Sequence, residues 1–178
     1  PHPQTVLTLV RRGVEALRLE IGADGRWGLV AAGETSTLGE TALPDRWTRV
    51  ELRVDATGGA TAVLTTRGRQ PQALRTAAAG LAGADSLGLV VAARPEHGWF
   101  TDFFNGRVEA PHLAGLAAWD FGPTSTARRV DNTAGAGFAG RTHNFPLRAC
   151  LGHTRAGDDT APRLAPPGVD ALHFPVPH

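Results

Sequence analysis

Several kinds of chemistry lie within reach of the residue types in this chain, and spacing limits each of them. His143, His153 and His173 stand ten and twenty residues apart, without the close pairing that brings two imidazoles onto one metal. We expect no metal site among them, and place His153 and His173 at a corner or against a neighbouring domain. Asp158-Asp159 offers paired carboxylates, but calcium takes roughly six to eight oxygens from a characteristic loop spacing that is missing here. The pair reads as surface acid. Cys150 and His153 form a Cys-x-x-His spacing beside an expected strand, where a lone cysteine packs as a small apolar group. Ser36, Ser86 and Ser125 lie outside any nucleophile-positioning context. Gly135-Ala136-Gly137-Phe138-Ala139-Gly140 matches a dinucleotide fingerprint only in letters, because no apolar helix pattern follows it. No catalytic residue is assigned.

The remaining chemistry is stacking. Trp99, Phe100, Phe103 and Phe104 crowd one short stretch beside His97, Asp102 and Asn105. Strand alternation puts Phe100 and Phe104 on one face and Trp99 and Phe103 on the other. One pair fills a core, and the other either packs on a partner domain or stacks on a sugar ring. The candidate ligand-binding residues are therefore His97, Trp99, Phe100, Asp102, Phe103 and Asn105.

The elements that position these residues are strands. Leu17, Leu19 and Ile21 alternate with Arg18 and Glu20, Ala23-Asp24-Gly25 turns the chain, and 27–33 returns as the partner strand. A second alternation over 46–55 places Trp47, Val50, Leu52 and Val54 on a core side, and 57–60 turns it into 61–68. Trp119 is likewise assigned to the core. Strands spaced by about ten residues with turn signals between them mark a sandwich or barrel. Residues 70–86 are Ala-rich and read as a short helix or a long loop, 87–93 as a strand buried on both faces, and 155–171 as an exposed Pro-rich loop before a last strand at Leu172-His173-Phe174. The fold expected is all-β: one antiparallel two-sheet jelly-roll sandwich over 1–178.

Composition bounds the function classes. All 18 basic residues are Arg, set among 17 acids for a net charge of +1. They form no stripe of the kind nucleic acid requires. Cys150 is the single cysteine, which excludes an intrachain disulfide and suits a reducing cytoplasm. No apolar run approaches the roughly 20 residues of a membrane span, and the start PHPQT lacks a signal pattern. We read the protein as soluble and cytoplasmic, with both Pro/His-rich ends at domain cut points.

Two resemblances extend this reading. Phe104-Asn105-Gly106-Arg107-Val108-Glu109, with Asp24-Gly25-Arg26 and Arg46-Trp47-Thr48-Arg49-Val50 upstream, resembles the middle and closing strands of laminin-G-like, concanavalin-type sandwiches. Ala118-Trp119-Asp120-Phe121, Asp131-Asn132, Gly137-Phe138-Ala139-Gly140 and Leu172-His173-Phe174 resemble that family's opening strands, yet come last. The shifted order implies either a circular permutation, which sandwiches with adjoining termini tolerate, or two half-domains of adjacent sandwiches. We favour the permutation because the parts sum to one sandwich.

Over 113–174 the chain also resembles the large subunit of N,N-dimethylformamidase. The resemblance rests on Ala117-Ala118-Trp119-Asp120-Phe121, Arg129-Val130-Asp131, Gly140-Arg141, Asn144, Pro146, Arg148-Ala149, Gly152-His153 and His173-Phe174. It departs at Ala139 and Thr154, where family members tend to carry His and Asn. That family hydrolyses small amides with iron held by tyrosines and a glutamate in a separate α/β domain. This chain contains no Tyr, so those ligands are not here and no cofactor is expected in it. The resemblance implies a non-catalytic scaffold domain that contacts the catalytic domain or subunit through Gly152, His153, His173 and Phe174 and supports oligomer assembly. The alternative is a carbohydrate-binding module using the aromatic stretch.

Overall fold

The computed structural model describes residues 2–83, 87–114, 116–119, 129–135 and 137–143. The chain divides into two compact units, Pro1–Arg107 and Val108–His178, and the described residues are all-β apart from one 3-10 turn, Ala79–Leu81.

The first unit carries strands β1 (Gln4–Arg11), β2 (Val14–Ile21), β3 (Arg26–Ala31), β4 (Glu34–Thr41), β5 (Thr48–Val54), β6 (Gly59–Thr66), β7 (Gln72–Ala77), β8 (Gly88–Val91), β9 (Arg94–Glu96) and β10 (Trp99–Thr101). A five-stranded sheet runs β4-β3-β2-β1-β8, and a three-stranded sheet runs β5-β6-β7. Every pairing between these strands is antiparallel, and an isolated parallel bridge joins Thr5 to Phe103. Leu9, Leu17, Leu19, Trp27, Leu29 and Ala31 of the larger sheet meet Ala60, Ala62, Leu64 and Leu74 of the smaller in one buried core. Alternation is the cause: Leu17 and Leu19 are wholly buried while Arg18 between them faces away.

The two-sheet antiparallel sandwich expected from the sequence is present, but its path is a meander. β1 to β4 lie side by side, β5 to β7 do the same in the facing sheet, and β8 returns to the free side of β1. A jelly roll sends successive strands back and forth between sheets, and these strands do not follow that connectivity. Turn length decides this. Arg12-Gly13 (φ 51° and 81°) and Ala32-Gly33 (φ 50° and 82°) are two-residue turns with both residues at positive φ, a form that joins only neighbouring strands.

Three local expectations are corrected. Gln72–Ala77, expected as helix or loop, is strand β7: pairing along β6 and full burial of Leu74 override the helix preference of its alanines. The run at 87–93 yields β8, which among the described residues is an edge strand paired with β1 alone and half-buried, not one covered on both faces. Trp47 and Trp119 are half-buried and outside the buried core, where the tryptophan is Trp27.

In the second unit, β11 (His112–Leu113) pairs with β12 (Ala117–Ala118), and β13 (Arg129–Val130) with β14 (Gly140–Arg141). Asn132 ties these pieces together: its Oδ1 accepts from the Ala118 N–H at 2.9 Å and the Ala134 N–H at 3.0 Å. Trp119 donates from Nε1 to the Phe138 carbonyl at 2.7 Å.

Candidate functional site

β9 and β10 form a hairpin that interrupts the edge of the larger sheet. β8 runs beside β1 as far as Val91, which pairs with Leu7. Ala92 then turns at φ 64° and donates its N–H to the Val6 carbonyl at 2.8 Å. The chain leaves, reverses through His97-Gly98 (φ 48° and 85°), and returns at Asp102, φ 49°. There the Thr5 N–H donates to the Asp102 carbonyl at 2.7 Å, and the Phe104 N–H to the Ala92 carbonyl at 3.0 Å. Ala92 and Asp102 thus bracket the excursion with left-handed backbone. Asp accepts that conformation more readily than most residues, whereas Ala has no such leaning.

The base of the hairpin is fixed by polar contacts with the outer face of the larger sheet. Thr8, fully buried, donates its hydroxyl to the Ala93 carbonyl at 3.2 Å. Arg94 Nε lies 3.0 Å from Glu15 Oε2, and its Nη1 lies 3.6 Å from Asp102 Oδ2. Glu15 also receives Arg18 Nη1 at 2.8 Å, and Arg18 Nε meets Glu20 Oε2 at 2.8 Å. The result is a chain of alternating charge: Glu20, Arg18, Glu15, Arg94, Asp102. Partial burial works against the Arg94 cation, but attraction to Glu15, with further help from Glu96 and Asp102, outweighs it and raises the guanidinium pKa above its ordinary value. Gly28 makes room for the end of this row: a Cβ there would sit 3.4 Å from Glu20 Cγ and 3.3 Å from Thr35 Cγ2.

Above this base the aromatic residues differ in exposure. Trp99 is 78% exposed and Phe103 48% exposed, while Phe100 and Phe104 are half-buried. His97 is exposed at the turn, and Asp102 is committed to Arg94. Asn105 is exposed, with its backbone N–H bound to Gln4 Oε1 at 2.9 Å. Glu96 Oε2 accepts from the Thr101 hydroxyl at 3.4 Å. The carboxylates of the hairpin are therefore engaged internally, and what projects is aromatic surface.

The sequence missed Glu15, Arg18, Glu20 and Arg94 as parts of the site. The alternation of β2 did place Arg18 and Glu20 on one face. Nothing local could connect Glu15 with Arg94, because their side-chain contact spans 79 residues of chain.

Other candidates fare less well. Ser36 lies in β4 opposite Leu29, and among the described residues no group of three or more His, Cys, Asp or Glu side chains could hold a metal. His143 is exposed after β14. Gly137 and Phe138 take positive φ (92° and 50°), with Phe138 exposed. A shallow cavity of about 340 Å³ is lined by Glu40, Arg69, Gln70 and Gln72, and its two charges satisfy each other at 2.7 Å. Ser86, Ser125, Cys150, Gly152, His153, Asp158, Asp159, His173 and Phe174 lie outside the described residues, as does the expected loop at 155–171. Among the described residues no helix is long and apolar enough to cross a membrane. Comparison of the chain with family models, with curated proteins and with solved structures gives no match.

Proposed function

We propose that this chain is a non-catalytic accessory sandwich of a larger amide hydrolase resembling N,N-dimethylformamidase, and that it holds a partner domain or subunit through the β9–β10 hairpin. The observation that carries the docking role is the pairing of exposed Trp99 and Phe103 with a base whose carboxylates are already engaged. Such a surface offers rigid aromatic area and few free charges. That is the profile of a protein–protein anchor, where tryptophan is enriched among residues that dominate affinity. The amide-hydrolase context rests on the resemblance over 113–174.

The test is partner retention by the native polypeptide, purified with its companions bound. Trp99→Ala weakens retention by at least about thirtyfold, the scale of a hot-spot truncation, and leaves the sandwich's melting temperature unchanged. Full retention by both Trp99→Ala and Phe103→Ala sinks the docking role.

A glycan is the second reading, favoured by one observation: a flat indole face exposed on the same hairpin as His97, with Asn105 following it. Saturable binding on a glycan array, lost in Trp99→Ala with no protein partner retained, selects it instead.

A further inference from the structure

We propose that Arg94 is the positioning residue of the Trp99–Phe103 platform, tying the hairpin to β2 through Glu15 and to its own return through Asp102. This rests on the hairpin being the docking element. Arg94 opens β9, while Asp102 follows β10 directly, so one guanidinium spans both ends of the excursion. Its partner Glu15 belongs to the sandwich proper, where Arg18 holds it from the other side at 2.8 Å. Side-chain exposure of the three groups is 33%, 22% and 24% for Arg94, Glu15 and Asp102, so these pairs are partly withdrawn from solvent and less screened than surface ones. Trp99 itself stands in solvent, while Phe103 is joined to Thr5 by an isolated backbone bridge. The direction in which they project is set by what fixes β9 against the sheet.

A planar fork is needed for this, because the same cation addresses two carboxylates from different nitrogens. A lysine at this position supplies the charge without the second arm. Loss of Arg94 also leaves Glu15 with Arg18 alone and Asp102 without its cation, so the strained return at φ 49° loses a restraint. The hairpin then opens locally while the core, with no part in the network, stays closed.

The experiment is amide hydrogen exchange on the full chain, comparing protection across Glu96–Thr101 with protection across β6. Arg94→Gln should lower hairpin protection about tenfold, the scale of a charge-assisted bond, with β6 unchanged. Arg94→Lys should recover part of the loss. The double variant Glu15→Gln/Arg94→Gln should do no more than the worse single variant, since both remove one interaction. The proposal is overturned if Arg94→Gln alters hairpin protection less than twofold, if β6 loses protection in parallel, or if the double variant's effect is the product of the singles. Trp99→Ala separates the two readings. It should leave exchange untouched, so a failure of docking shows in partner retention and a failure of positioning shows in exchange.

Discussion

The sandwich and the hairpin it carries are stabilised by different physics. In the sandwich, Leu17, Leu19, Leu29 and Leu74 are essentially inaccessible to solvent, and apolar burial of this kind contributes roughly 1.5–3 kcal/mol per large side chain. In the β9–β10 hairpin the largest side chain, Trp99, is exposed, and the fixed points are a guanidinium, two carboxylates and two turns of left-handed backbone. A core of leucines is close-packed and opens as a unit, whereas a hairpin held by directional contacts can be released without disturbing the rest. The fold thus separates the part that must persist from the part that presents a surface.

The contrast can be broken from either side. The largest effect is expected from Leu19→Ala, which removes a fully buried side chain and leaves a cavity. It should lower global stability by about 3 kcal/mol, seen as a shift of the urea midpoint in which β6 and hairpin amides lose protection together.

Gly98→Ala is the opposite case. Space is free around Gly98, but its φ of 85° disfavours any side chain. The cost should be about 1 kcal/mol and confined to hairpin exchange. An equal loss in β6 would show that the hairpin is part of the cooperative core.

The smallest effect concerns the β5–β6 turn. Asp55 accepts the Thr57 hydroxyl at 2.6 Å and the N–H groups of Gly59 and Thr57 at 2.8 and 2.9 Å. The Thr57 hydroxyl, then the Gly59 amide, hold its pKa below the ordinary aspartate value. A depressed folded-state pKa means the contribution is fully present above the unfolded value of about 3.9 and fades as pH falls through the folded one. Asp55→Asn should therefore flatten the acid limb of the stability curve and leave neutral hairpin exchange unchanged. A stability–pH profile identical to the parent's would rule out this turn as an acid-sensitive element.

Local signals made much of this legible. The alternation of Leu17, Leu19 and Ile21 marked β2, and the exposure of Trp99 and Phe103 matches the division read from the sequence, although Phe103 and Phe104 lie past the left-handed residue Asp102. Where pairing between distant segments decided the outcome, the sequence was silent or misleading. Gln72–Ala77 reads as helix or loop until β6 is beside it. Trp27 and Trp47 each follow an Arg at the start of an expected strand, yet of the two only Trp27 enters the core. The return of β8 to the free side of β1 is equally hidden, since that partner lies at the other end of the sandwich sequence. The ion network is hidden for the same reason, since acid and base are scattered evenly along the chain.

The closed joint beneath the hairpin has a consequence for protein engineering. β1 receives Ala92 at Val6 and Asp102 at Thr5, and Phe104 binds back to Ala92, so the two ends of the excursion are clamped to each other as well as to the sheet. With Ala93 and Arg94 kept as part of this frame, the stretch from Pro95 to Thr101 is the replaceable part, which makes this edge a natural port for grafted recognition loops.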